Sequence, residues 1–188
     1  DAQVAAFHRR PVTFAARYLL VDGLWVSVRS SGRARKRAVL AVYGIDEAGR
    51  RELLDYRQAA SESAPEWGRL LTSLVARGLD PDAVVLVTAD GAGGIAAAVA
   101  EAFPDAALQR CWTHRIRNIL DALPAGERRP CLRGLRAIYR ARTRRAAVQA
   151  YWRWARAWRA RHHVLVRNLE RDLDGLLAVF ALPEAVRL

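Results

Sequence analysis

The chain has 188 residues, 52% of them hydrophobic, which is enough to bury a core in one domain or one domain with an appendage and excludes a disordered segment. Its 31 basic residues exceed the 19 acidic ones for a net charge of +12. All the basic residues but Lys36 are arginine, whose planar fork suits phosphate, so a nucleic acid is the expected partner. No apolar run approaches the roughly 18 residues that span a bilayer, and no signal peptide opens the chain, so no membrane association and no export are expected. Asp1 rather than Met at the start suggests a fragment. Cys111 and Cys131 form no pattern of a disulfide scaffold, and a reducing compartment is expected.

Residues 1–17 read as a polar lead-in without strong periodicity. Tyr18 to Val28 is rich in β-branched and aromatic residues and predicts a strand, followed by the basic turn SSGRARKR. Ala38 to Ile45 predicts a second strand and Arg51 to Arg57 a third, and the short connections imply an antiparallel meander. Ser63, Pro65 and Glu66 predict a capping box opening a helix that runs to Arg77, buries Trp67, Leu70, Leu71 and Leu74, and stops at Gly78. A strand at Val84 to Thr88, a helix over 92–103 and a short strand at Ala106 to Cys111 follow. From His114 onward the pattern is helical, with breaks at Pro124 to Gly126, around His162 and at Pro183. The fold class is therefore α/β: an RNase H-like mixed sheet, three antiparallel strands and then alternating helix and strand, followed by an all-helical segment. That strand order sets the first and fourth strands side by side.

Two aspartates stand out. Asp22 interrupts the apolar run YLLV…LWV, and a carboxylate in a buried strand costs several kcal/mol unless it is paired or binds a cation. Alternatively, Asp22-Gly23 turns a tight hairpin between two short strands. Asp90 follows the fourth strand in VVLVTADGAGG, where α/β folds place their chemistry, yet aspartate is also a favoured cap for the helix that follows. Both readings stay open for each. If the two converge, their hard oxygens suit Mg²⁺ or Mn²⁺, and two such ions can clamp the attacking and leaving oxygens of a phosphodiester.

In QRCWTHRIRNIL, residues 109–120, Cys111 and His114 have a spacing that hints at zinc, but no second Cys/His pair stands at the right distance and no zinc site is expected. A core cysteine beside a surface histidine is the plain alternative. In RRAAVQAYWRWARAWRARHH, residues 144–163, Tyr151, Ala155 and Trp158 share a stripe, and Arg145, Arg153, Arg156 and Arg159 spread around it. This face either grips phosphates or packs its aromatics inward while solvating its arginines.

The segments YLLVDGLWVSVR, AVYGIDEAGRRELLDYRQAASESAPEW, VTADGAGGIAAAVAEAFPDA and LQRCWTHRIRNILDALP together resemble transposases of the Mutator type, in particular their bacterial insertion-sequence branch. The resemblance runs from about Tyr18 to Pro124 and more weakly into the tail. It implies a DDE-type enzyme that uses Mg²⁺ or Mn²⁺ in a two-metal site to cleave phosphodiesters and transfer strands at transposon ends. Catalytic and metal-binding roles fall to Asp22 and Asp90, with Cys111 and His114 supporting the active site. Arg110, Arg115, Arg117, Arg145, Arg153 and Arg156 are the expected DNA contacts. The resemblance further implies an RNase H-like core over 18–122, a helical insertion from 123 to 188, terminal repeats and target DNA as partners, a homo-oligomer on DNA, and a bacterial, nucleoid-associated cytoplasmic location. The family's third acid lies in a motif this chain does not contain: Glu170, Asp172, Asp174 and Glu184 are acids in the tail, but none sits in it. The segment is therefore expected to be inactive by itself. A noncatalytic DNA-binding remnant and an RNase H-like nuclease are the competing readings.

Overall fold

The computed structural model describes residues 2–30, 33–91 and 93–184. The chain divides into two compact units, 1–108 and 109–188.

The first unit is built on a five-stranded mixed sheet of order β3-β2-β1-β4-β5. Its strands are β1 (Tyr18–Ser30), β2 (Arg33–Ile45), β3 (Arg51–Ala59), β4 (Leu86–Ala89) and β5 (Ala107–Arg110), and the last of these carries the chain across the unit boundary. β1 pairs β2 and β2 pairs β3 antiparallel, while β4 joins the other edge of β1 in parallel. The α/β class and the meander agree with the sequence reading.

Period-two alternation decides which face is buried. Leu19 and Val21 of β1, Leu40 and Val42 of β2 and Val87 of β4 pack into one core with helices α2 (Ala64–Ala76) and α3 (Gly93–Ala102). α2 contributes Trp67, Leu70, Leu71 and Leu74, spaced so that one stripe meets the sheet. Each such side chain stabilises the unit by about 1.5–3 kcal/mol relative to exposure. A register shift at Val42/Tyr43 places Leu54 as the extra residue of a bulge, and its side chain is fully buried.

Three local expectations are corrected. Residues 1–17 are not featureless: Ala2–Arg9 form α1, which has no buried residue and is held by docking, with His8 Nδ1 2.6 Å from Asp55 Oδ1 and the Phe7 ring 5.7 Å from Tyr56. The capping box does not form. Ser63 is the N-cap but its side chain makes no cap hydrogen bond, and Glu66 turns to Arg69 at 2.5 Å. Strands β1 and β2 are also longer than predicted, because residues 33–37, expected as a basic turn, continue the antiparallel ladder. Residue 92, the expected start of α3, lies outside the described residues, as do 31 and 32 of that turn. Gly78 does end α2 as expected: its φ of +115° suits only glycine, and a Cβ there would meet the Val12 carbonyl at 2.9 Å.

The second unit is helical: α4 (Trp112–Asp121), α5 (Ala125–Tyr139), α6 (Arg144–Trp158) and α7 (His163–Leu176), closed by a 3₁₀ turn at Ala178–Ala181. Its core gathers Ile119, Cys131, Leu135, Tyr151, Trp154 and Leu169. A break at Ala141 to Thr143, absent from the sequence reading, separates α5 from α6, and the Thr143 side chain caps α6 by accepting from the Ala146 amide at 3.1 Å. Burial dominates the Tyr151 phenol and, with Glu170 adding to it, pushes its pKa up to about 12. The Cys131 thiol is likewise raised, chiefly by burial.

Candidate active site

Asp22 is not in a hairpin turn. It lies mid-strand in β1, paired with Ala41 of β2, because the ladder continues well past it to Ser30. On its other side β1 pairs β4 in parallel through Tyr18 with Leu86, Leu19 with Val87 and Leu20 with Thr88. Asp22 therefore stands two residues beyond Leu20 on one strand, and Asp90 two beyond Thr88 on the next. Asp90 directly follows Ala89, the last residue of β4, and the alternation of the two strands, continued to it, sets Asp22 and Asp90 on the face opposite α2 and α3. Both are half-buried. Gly91, with φ +91°, then turns the chain toward α3.

Another acid, passed over in the sequence, lies against β1 on its other face. A Cβ built on Gly23 would collide with the Glu62 carboxylate, so absence of a side chain at 23 makes room for that group on the face of β1 that carries Leu19 and Val21, opposite to the face of Asp22. The same segment is held against the start of α3, where a Cβ on Gly94 would sit 2.7 Å from the Ala64 amide nitrogen and 2.8 Å from the Glu62 carbonyl. The clue in the sequence is a glycine directly after Asp22 and another, Gly94, in the first turn of α3, where close approach is needed. Among the described residues no three His, Cys, Asp or Glu side chains form a metal-holding cluster. The donor pair of Asp22 and Asp90, two hard carboxylates on one face, fits a cation of the Mg²⁺ or Mn²⁺ kind.

The other candidates belong to the second unit. Cys111 is the N-cap residue of α4 and half-buried, and His114 lies one turn on. Much of the QRCWTHR stretch fastens α4 to α7: Gln109 Nε2 donates to the Leu176 carbonyl at 2.7 Å, and Trp112 Nε1 to the same oxygen at 2.8 Å. Arg110 Nη1 donates to Asp172 Oδ1 at 2.5 Å, and Arg115 lies 3.2 Å from Asp172 Oδ2. Burial lowers the pKa of Arg115, and the Asp172 charge opposes that shift. The positive charges of Arg110 and Arg115 are thus answered inside the unit. Arg117, Arg145, Arg153 and Arg156 are exposed. On α6, Tyr151, Trp154 and Trp158 pack inward, while Trp152 stays 48% exposed.

Comparison with known proteins adds a family to this geometry. Residues 1–188 match the family described as Transposase, Mutator family. The chain belongs to the Mutator family of transposases. Similar proteins include the transposase for insertion sequence element ISRM5 of Rhizobium meliloti (strain 1021), 36% identical over 97% of this chain and 46% of that protein. The transposase for insertion sequence element IST2 of Acidithiobacillus ferrooxidans is 34% identical over 97% of the chain and 61% of its own length. That for IS905 of Lactococcus lactis subsp. lactis (strain IL1403) is 31% identical over 96% and 45%. This Mutator-family chain spans about half the length of the curated relatives it matches. No helix among its described residues is long and apolar enough to cross a membrane.

Proposed function

We propose that the chain is a catalytic-core segment of a DDE-type DNA transposase that cleaves and rejoins phosphodiesters at the ends of a bacterial insertion sequence. The observation that carries this reading is the parallel β1–β4 register, which supports Asp22 and Asp90 as a carboxylate pair. The strand order, with β4 parallel to β1 at the edge of a three-stranded meander, is the support for an RNase H-like core.

In this reading Asp22 and Asp90 would hold Mg²⁺ or Mn²⁺, and the cation would supply charge neutralisation to the phosphoryl oxygens and acidify the attacking water. The protein's own part is positional. The β-ladder fixes Asp22 through its pairing with Ala41, and the sharp turn at Gly91 leaves Asp90 at the strand end. Exposed arginines at 117, 145, 153 and 156 hold backbone phosphates, each neutralised phosphate steepening the salt dependence of binding. Cys111 and His114 act in support, and a homo-oligomer on the DNA ends, in the nucleoid of a bacterial cell, is the working assembly. The third carboxylate is supplied from outside the described residues.

The test is end cleavage and strand transfer on labelled terminal-repeat DNA with Mg²⁺ or Mn²⁺, using the full-length protein. Asp22→Asn and Asp90→Asn should each lower the rate by at least about 10²-fold, the scale for losing one preorganised electrostatic group, while the 188-residue chain alone gives no product. Robust cleavage by the Asp90→Asn protein overturns the assignment. Cleavage without strand transfer favours the nuclease reading. DNA binding by a full-length protein that never cleaves favours the noncatalytic remnant.

A further inference from the structure

β1 and β2 outrun the sheet that holds them. β4 leaves β1 after Leu20, and β3 leaves β2 at Ala38, the partner of Trp25. From there to Ser30 and Arg33 the two strands continue as a ribbon with no third strand among the described residues. At about 3.3 Å per residue, the stretch from Trp25 to Ser30 is roughly 17 Å long.

The ribbon is unlike a solvated hairpin in two respects. It exposes Trp25 (54%), Val26 (38%) and Val28 (36%), with Leu24 (56%) at its foot, where an isolated surface arm would carry polar side chains. It is also purely cationic: Arg29, Arg35, Lys36 and Arg37 lie on it, and no acidic residue occurs between Asp22 and Asp46. The register distributes these groups. Val26 faces Arg37 and Val28 faces Arg35, and by period-two alternation these pairs lie on the same face as Asp22. Lys36, opposite Ser27, lies on the other face with Trp25 and Arg29.

We propose that this ribbon is a DNA arm: it lies along duplex DNA and holds the segment next to the one presented to Asp22. The inference rests on the DNA-acting function proposed above and extends it to residues given no role there. A B-DNA major groove, about 12 Å wide, admits a two-stranded ribbon. Cations on both faces reach the phosphates of both groove walls, while the apolar residues meet the sugar and base edges. A second copy of the chain is disfavoured as the occupant, because edge-to-edge pairing would set arginines and a lysine against their like.

The experiment measures binding of the 188-residue chain to a fluorescent duplex across a salt series. The variant Arg35→Gln/Lys36→Gln/Arg37→Gln is compared with Arg9→Gln/Arg51→Gln/Arg69→Gln, which removes the same charge from other exposed sites of the first unit. Matched far-UV spectra and melting temperatures establish that both are folded. The arm variant should bind at least tenfold more weakly, with a log–log salt slope shallower by about two to three, since each phosphate contact contributes roughly 0.9. Trp25→Ala should weaken binding with little change of slope, because an apolar or stacking contact releases no counterion. Equal losses in the two triple variants, or an unchanged slope in the arm variant, overturn the proposal. So does a result in which arm variants bind DNA normally but sediment as a smaller species, which would make the ribbon a pairing surface between copies. The two proposals fail separately: Asp90→Asn cleavage tests the catalytic pair, and the salt slope tests the arm.

Discussion

Asp22 of β1 and Asp90, directly after β4, are sixty-eight positions apart in the chain, and each stands two residues past Leu20 and Thr88, the last pair of the parallel ladder. Their placement follows from the parallel register rather than from local sequence. If the pair holds a divalent cation, Mg²⁺ or Mn²⁺ should raise the melting temperature of the wild-type chain, because a ligand bound only by the folded state stabilises it by mass action. Asp90→Asn should reduce that shift by more than half. An equal shift in both proteins, read by calorimetry, would show that the cation binds elsewhere.

Another acid, Asp55, is buried on β3 and carries a structural load. It takes the Arg77 guanidinium of the α2 C-terminus, accepts the Tyr56 amide at 2.8 Å and lies 2.6 Å from His8 Nδ1. Asp55→Ala leaves Arg77, itself only 13% exposed, with no carboxylate, and should cost about 3–5 kcal/mol in urea unfolding. Converting both partners, Asp55→Leu with Arg77→Leu, should cost clearly less.

Asp172 plays the equivalent part in the second unit, between Arg110 and Arg115. Asp172→Leu alone strands the half-buried Arg115 and should destabilise by about 3 kcal/mol. Adding Arg115→Met should recover much of that loss. Failure of the second change to help, measured as the denaturant midpoint, would assign the loss to packing rather than charge.

The β2–β3 turn offers a pH signature. Burial acts to raise the pKa of Asp46, but hydrogen bonds from the Arg50 side chain and from the Arg50 and Ala48 amides, together with the Arg50 charge, carry it below the ordinary carboxylate value. A carboxyl depressed in the folded state stabilises fully above its unfolded pKa, and the stabilisation is lost as pH falls through the folded one. The wild-type chain should therefore lose stability on acidification below about pH 4 more steeply than Asp46→Asn. Parallel acid limbs in the two proteins would remove Asp46 from the account.

Several elements were legible in the residues alone. The β-branched and aromatic residues of Tyr18 to Val28 announced β1, the spacing of Trp67, Leu70, Leu71 and Leu74 announced α2, and Gly78 announced its end. These signals are local, since each depends on strand propensity, on periodicity or on a backbone angle that one residue type adopts. Helix α1 was not legible because its stabilising contacts, His8 with Asp55 and Phe7 with Tyr56, join positions nearly fifty residues apart. The extent of the β1–β2 ribbon was hidden for a related reason. SSGRARKR has the composition of a turn, and only cross-strand pairing with Val26, Ser27 and Val28 keeps Arg35, Lys36 and Arg37 extended.

For the candidate site, the sequence by itself determined the residue types: two acids in strand contexts, a glycine after each, and an arginine surplus that favours a polyanion. Tertiary structure alone decided which acids share a face, that Arg110 and Arg115 are engaged by Asp172 while Arg153 and Arg156 remain exposed, and that Glu62 lies against Gly23. The division has a physical cause. Charge and conformational preference are properties of single residues, whereas register and ion pairing come from the free energy of closing loops of tens of residues around a core.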